Sequence, residues 1–132
     1  MMNNKQIVTE FFMKVRSGKE PKLAYEYMQD QVLAHQIMAE ASKEVIIRRT
    51  PEDYAEHVCE MKQTYGAFSL NIEEILSDNN KVYVRWRQSG SIKNKKIIEI
   101  GSAVYMINDS KISEYWIQLD RKGIDEQIKR LI

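Results

Sequence analysis

Little in this sequence cross-links the chain, kinks it or charges it. A single cysteine, Cys59, stands among 132 residues. No intramolecular disulfide framework can form, and a reducing compartment suits such a chain. Only two prolines and five glycines are present, which excludes collagen-like and linker-like compositions. Net charge is also missing, since 20 Lys+Arg against 19 Asp+Glu leave +1. That balance supplies no field for gathering nucleic acid or an anionic membrane. No apolar run reaches the roughly 20 residues of a membrane span. The polar start Met1-Met2-Asn3-Asn4-Lys5 does not read as a secretory signal. No glycine-rich phosphate loop or recognisable Ser/His/Asp arrangement occurs. His57 and Cys59 lie two apart on a helix and do not share a face, which argues against a zinc site. These absences predict a cytoplasmic domain without cofactor or metal, binding neither nucleic acid nor membrane.

What is present is a core. Hydrophobic residues make up 43% of the chain, and a chain of this size buries roughly two-thirds of its extended surface on folding. With no repeat, low-complexity stretch or linker, residues 1–132 read as one domain. Ile7, Val8, Phe11, Phe12 and Val15 recur at helical spacing before Ser17-Gly18. A short second helix is predicted from Pro21, with Leu23, Ala24, Tyr27 and Met28 inward. Val32 to Met38 suits a short strand, and Ala39 to Glu44 a surface loop or one helical turn. Thr50-Pro51-Glu52-Asp53 then combines a cap, a first-turn proline and two carboxylates at the positive helix end. Tyr54, Ala55, Val58, Met61 and Tyr65 continue as one stripe, closed by Gly66.

After Gly66 the period becomes two. Strands are predicted around Phe68–Ile72, Val82–Arg87, Ile97–Ile107 and Ile112–Asp120. Helices followed by an antiparallel meander make an α+β plan with helices on one sheet face. Tight turns at Asn94-Lys95 and Asp109-Ser110 would then sort the side chains. Phe68, Leu70, Ile72, Val82, Val84, Trp86, Ala103, Tyr105, Ile107, Ile112 and Trp116 would face the helices with Glu99, Glu114, Gln118 and Asp120. Tyr83, Arg85, Arg87, Ile98, Ile100, Val104, Met106, Tyr115, Ile117 and Leu119 would face outward. That second apolar face predicts a homodimer, sheet against sheet, with Arg85 and Arg87 at its margin. Carboxylates among aromatics on the first face predict a pocket for a hydrophobic small molecule.

The closing segment Lys111-Ile112-Ser113-Glu114-Tyr115-Trp116-Ile117-Gln118-Leu119-Asp120, with Ile124 and Gln127-Ile128, resembles the end of SnoaL-like polyketide cyclases. These belong to the nuclear transport factor 2-like superfamily, which includes ketosteroid isomerase. Ser110 replaces the family's turn glycine, and the usual final glycine is absent. The resemblance implies a cone-shaped fold in which three N-terminal helices pack on a strongly curved antiparallel sheet enclosing a pocket. It also implies Asp120 as catalytic acid/base, with His35 matching an early histidine of the cyclases. The histidine that some cyclases carry on a later strand has no counterpart, because only His35 and His57 exist.

On that resemblance Trp86, Tyr105, Glu114, Trp116, Gln118 and Tyr27 would contact substrate. Asp120 would remove a proton beside a carbonyl, and His35, Tyr105, Tyr27 or a protonated Glu114 would stabilise the enolate. Asp120 reads equally as a turn or helix-capping residue before Arg121-Lys122-Gly123, whereas a lone histidine such as His35 is more often a hydrogen-bonded structural residue than a catalytic one. The expected activity is cofactor-independent acid–base catalysis of the cyclase or isomerase type on a hydrophobic carbonyl compound. The alternatives are a non-catalytic domain binding a hydrophobic metabolite and a protein-interaction module of the same fold.

Overall fold

The computed structural model describes residues 2–38 and 45–131. The loop or turn expected at Ala39 to Glu44 lies outside them. Helix α1 (Asn4–Glu10) starts on a capping box between Asn3 and Gln6 and runs on as a π-helical segment, Phe11–Arg16. A 3-10 turn at Pro21–Leu23 leads into α2 (Ala24–Tyr27) and then strand β1 (Met28–Gln36). Strand β2 (Val45–Arg49) precedes α3 (Pro51–Tyr65). The meander is β3 (Ser69–Asp78), β4 (Lys81–Ile92), β5 (Lys95–Asn108) and β6 (Lys111–Leu119), and α4 (Arg121–Lys129) ends it. The cap on α3 forms as the sequence predicts. The Asp53 N–H donates to Thr50 Oγ1 at 3.1 Å, and the Thr50 N–H to Asp53 Oδ2 at 3.0 Å.

The expected α+β architecture holds, with one curved six-stranded sheet in the order β2-β1-β6-β5-β4-β3. Three details differ from expectation. The sheet is not wholly antiparallel, because β1 pairs with β6 in parallel. The helices are not all N-terminal, since α3 follows two strands and α4 closes the described chain. Strand β2 is only five residues long, and helix α4 carries just Ile124 and Ile128 on its apolar side, so the hydrophobic pattern did not mark them.

The core sits between the helices and one sheet face. Ile7, Phe11, Phe12 and Val15 meet Val82, Val84, Trp86 and Tyr105, all nearly sealed from solvent. Phe12 packs on Trp86 at 5.1 Å between ring centroids and edge-on to Tyr105 at 5.7 Å. Gly101 pairs with Trp86 across β4 and β5, and a methyl group there would stand 2.4 Å from the indole. Only glycine lets the ring lie flat on the strand.

Two turns decide which residues look inward. The first hairpin turns at Lys93-Asn94 (φ 51° and 63°), one residue before the predicted Asn94-Lys95. That moves the β4/β5 register by two residues and leaves every side chain on its expected face. The second hairpin turns at Asp109-Ser110, as predicted, with Ser110 at φ 63°. There a bulge intervenes: Ile107 pairs with Ile112 but Met106 pairs with Glu114, leaving Ser113 as the extra residue. Beyond it the faces of β6 are exchanged. Tyr115, Ile117 and Leu119, expected outside, turn to the helices. Glu114, Trp116 and Gln118, expected inside, turn to the outer face.

Candidate functional site

A cavity of about 410 Å³ opens between the helices and the sheet, a size that suits a small molecule. Met61, Tyr65, Ile117, Leu119 and Ile124 supply its apolar wall. Its polar wall is built around Arg16. This residue ends the π-helical segment, is 3% exposed, and lies over the Trp86 ring at 4.8 Å. One of its terminal nitrogens donates to Glu99 Oε1 at 2.9 Å and the other to the Tyr54 hydroxyl oxygen at 3.3 Å. Trp86 Nε1 also donates to Glu99 Oε1, at 3.2 Å. Glu99 is thus anchored through one oxygen, and Oε2 has no hydrogen-bond partner among the described residues.

The charges in this wall are settled by their surroundings. Burial alone would favour the neutral form of Arg16, but Tyr54 and Glu99 outweigh it and hold its pKa above the ordinary value. Burial, and then the neighbouring Tyr54, pushes the Tyr115 phenol up, so it stays protonated. Burial, followed by the positive charges of Arg49 and Arg16, holds His57 below its usual value of 6.5. His57 meets Tyr54 edge-on at 6.4 Å and lines the cavity as a neutral imidazole at neutral pH. A depressed folded pKa gives stability that is complete above the unfolded value and is lost as pH falls from there toward the folded value. Urea titrations at about pH 7 and about pH 5 are expected to show a larger loss for wild type than for His57→Gln. Equal losses would show that His57 is not desolvated.

The residues singled out from sequence divide into three groups. Trp86 and Tyr105 are inward but belong to the core, 0% and 1% exposed, and only Trp86 reaches the site, through Glu99. Tyr27 is buried elsewhere, donating its hydroxyl proton to Glu10 at 2.9 Å. The remaining residues lie outside the cavity, which corrects the expectation that Glu114, Trp116, Gln118 and Asp120 face the helices. His35 pairs with Glu114 at 2.5 Å and stacks on Trp116 at 4.9 Å on the outer sheet face. Asp120 and Gln118 line a separate outer groove of about 440 Å³. Asp120 caps α4, accepting the Gly123 N–H at 2.9 Å, which is the capping alternative the sequence allowed. The Ser113 bulge is the physical reason for these displacements.

Sequence reasoning passed over Arg16, Tyr54 and His57 as a site. A signal existed for two of them: Tyr54, His57 and Met61 fall at i, i+3 and i+7 of α3, one stripe carrying polar groups. Arg16 gave none, because it ends a helix beside a turn, where a cation is ordinarily solvated. Among the described residues no group of three or more His, Cys, Asp or Glu stands close enough to hold a metal ion. None of their helices is long and apolar enough to cross a membrane.

Solved structures share this fold. A candidate polyketide cyclase from Acidithiobacillus ferrooxidans superposes with a TM-score of 0.79 at 19% identity, covering 98% of this chain and 96% of that one. A hypothetical protein from Catenulispora acidiphila with a ketosteroid isomerase-like fold, in complex with trimethylamine, gives 0.74 at 11% identity, over 92% and 91%. An LEH-like epoxide hydrolase from M. tuberculosis gives 0.70 at 14% identity, over 96% and 90%. At such identities the likeness establishes the fold alone. No curated protein matched this sequence. The family model for the SnoaL-like polyketide cyclases matches residues 6–128. With that match over nearly the whole chain, and helices, curved sheet and interior cavity arranged as described, the chain belongs to the SnoaL-like polyketide cyclase family.

Proposed function

We propose that the protein is a cofactor-independent acid–base enzyme that moves a proton beside the carbonyl of a hydrophobic small molecule held in the interior cavity. One observation carries the reading: a single guanidinium, Arg16, holds a carboxylate and a phenol side by side at the cavity wall. Glu99 Oε2 accepts the proton from the carbon next to the carbonyl. The Tyr54 hydroxyl oxygen already accepts from Arg16, so its own proton turns to the ligand oxygen, where negative charge develops. The apolar wall excludes water and strengthens both interactions. The acid/base role thereby passes from Asp120, exposed on the outside, to Glu99. In D2O, the protein is expected to speed deuterium uptake at the carbon next to the carbonyl of 2-tetralone or ethyl 2-oxo-4-phenylbutanoate above the buffer rate, as followed by proton NMR. No acceleration for either ketone overturns the enzymatic reading.

The full engagement of Glu99 Oε1 by Arg16 and Trp86 favours a second reading, a non-catalytic binding site whose polar network only fixes its shape. Binding without exchange would select it. The homodimer belongs to the proposal too, with an altered interface. Ile100 (40% exposed), Val104, Met106 and Trp116 are among the apolar residues of the outer face, together with Tyr83 and Leu76, and Arg85 and Arg87 stand beside them. Tyr115, Ile117 and Leu119 no longer contribute. Light scattering at tens of micromolar is expected to give twice the 15.6 kDa chain mass, and a monomer mass would remove the dimer from the proposal.

A further inference from the structure

The cavity wall carries more positive charge than its own carboxylates use. Three arginines line it, Arg16, Arg49 and Arg121, against Glu99 and Asp125. Arg16 and Glu99 neutralise each other at 2.9 Å. Arg49 reaches Asp53 at 3.3 Å through one terminal nitrogen, and Asp53 is itself engaged in capping α3. Arg121, the first residue of α4, has a buried Nε with no hydrogen-bond partner among the described residues. Asp125, one turn along, is exposed and makes no ion pair with it. A buried donor on a permanent cation is costly to leave unmade. A guanidinium is also the side chain best shaped for a planar anion.

We propose that the ligand of this cavity bears a carboxylate, bound by Arg121 at the rim with Arg49 adding positive charge. The substrate class is then an amphipathic oxo acid, whose apolar body lies on Met61, Ile117 and Leu119 while its acid group points to α4. This rests on the reading of the cavity as a ligand site and narrows it. It also explains why the cavity keeps an arginine whose buried Nε has no partner among the described residues.

The test uses 2-oxo-4-phenylbutanoate and its ethyl ester, which differ only in the charge and bulk of one end, titrated by calorimetry into wild type, Arg121→Gln and Arg121→Lys. Wild type is expected to favour the acid by about tenfold or more. In Arg121→Gln the acid should weaken until the preference is lost while the ester is unchanged, and Arg121→Lys should fall between. Thermal midpoints of the variants check that each is folded. An ester that binds wild type as tightly as the acid overturns the carboxylate assignment and leaves the cavity reading standing. An acid preference that survives in Arg121→Gln overturns the role of Arg121. Binding of neither probe removes both this inference and the reading beneath it.

Discussion

Tyr54→Phe is expected to slow proton exchange at the carbon beside the carbonyl by about 10²–10³-fold while binding of the same ketone changes little. Loss of a single preorganised donor to a developing oxyanion costs about that much. The hydroxyl matters only once charge has moved onto the ligand oxygen, so the rate falls and the affinity does not. The fold should tolerate the change, because the ring keeps its contact with Phe11 at 5.2 Å and only the 3.3 Å bond from Arg16 disappears. Its loss leaves a buried guanidinium donor unpaired and costs about 1.5–3 kcal/mol, visible as a lower urea midpoint. Equal exchange rates in wild type and Tyr54→Phe would remove Tyr54 from the chemistry. A large fall in ketone affinity would instead assign it to binding.

Arg16→Met should be the most destabilising single change at the site. Both partners of the Arg16–Glu99 pair are nearly sealed, with side chains 4% and 11% exposed. Removing one partner of such a pair leaves an uncompensated buried charge and costs about 3–5 kcal/mol. For a domain of this size the melting midpoint should fall by about 10–20 °C. Arg16→Met combined with Glu99→Leu is expected to regain much of this, since apolar replacement of a whole buried pair is often neutral or better. The double variant also separates folding from chemistry. If Glu99 is the proton acceptor, the double variant folds and exchanges no faster than buffer. Exchange at the wild-type rate in a folded double variant would place the base elsewhere. Failure to recover stability would show that Arg16 acts through its contact with Trp86 rather than through Glu99.

Much of the fold was legible because several local signals agreed. The helical stripe from Ile7 to Val15, the Thr50 cap before Pro51 and the period-two strands after Gly66 each pointed to one element. The Lys93-Asn94 turn shows how forgiving that pattern can be. A shift of the turn by one residue moves the register by two, and Trp86 and Glu99 still face the helices. Glu99 could therefore be recognised from sequence as an inward carboxylate. The partner that fixes it could not, because Arg16 and Glu99 lie 83 residues apart and meet only when the π-helical segment Phe11–Arg16 is brought against the sheet.

The sequence by itself determined the α+β class, the helix-facing sides of β4 and β5, the second tight turn and the ambiguity of Asp120 between catalyst and cap. The tertiary structure decided the rest through one residue. Nothing in Lys111-Ile112-Ser113-Glu114-Tyr115-Trp116 distinguishes a regular strand from a bulged one, since Trp116 or Tyr115 could fill an inward position equally well. Packing chose: with Ser113 set aside, Tyr115 meets Tyr105 at 5.2 Å between ring centroids, while Trp116 stacks on His35 outside. A strand's side chains alternate strictly, so that one extra residue carried Glu114, Trp116 and Gln118 out of the cavity and brought Tyr115, Ile117 and Leu119 in.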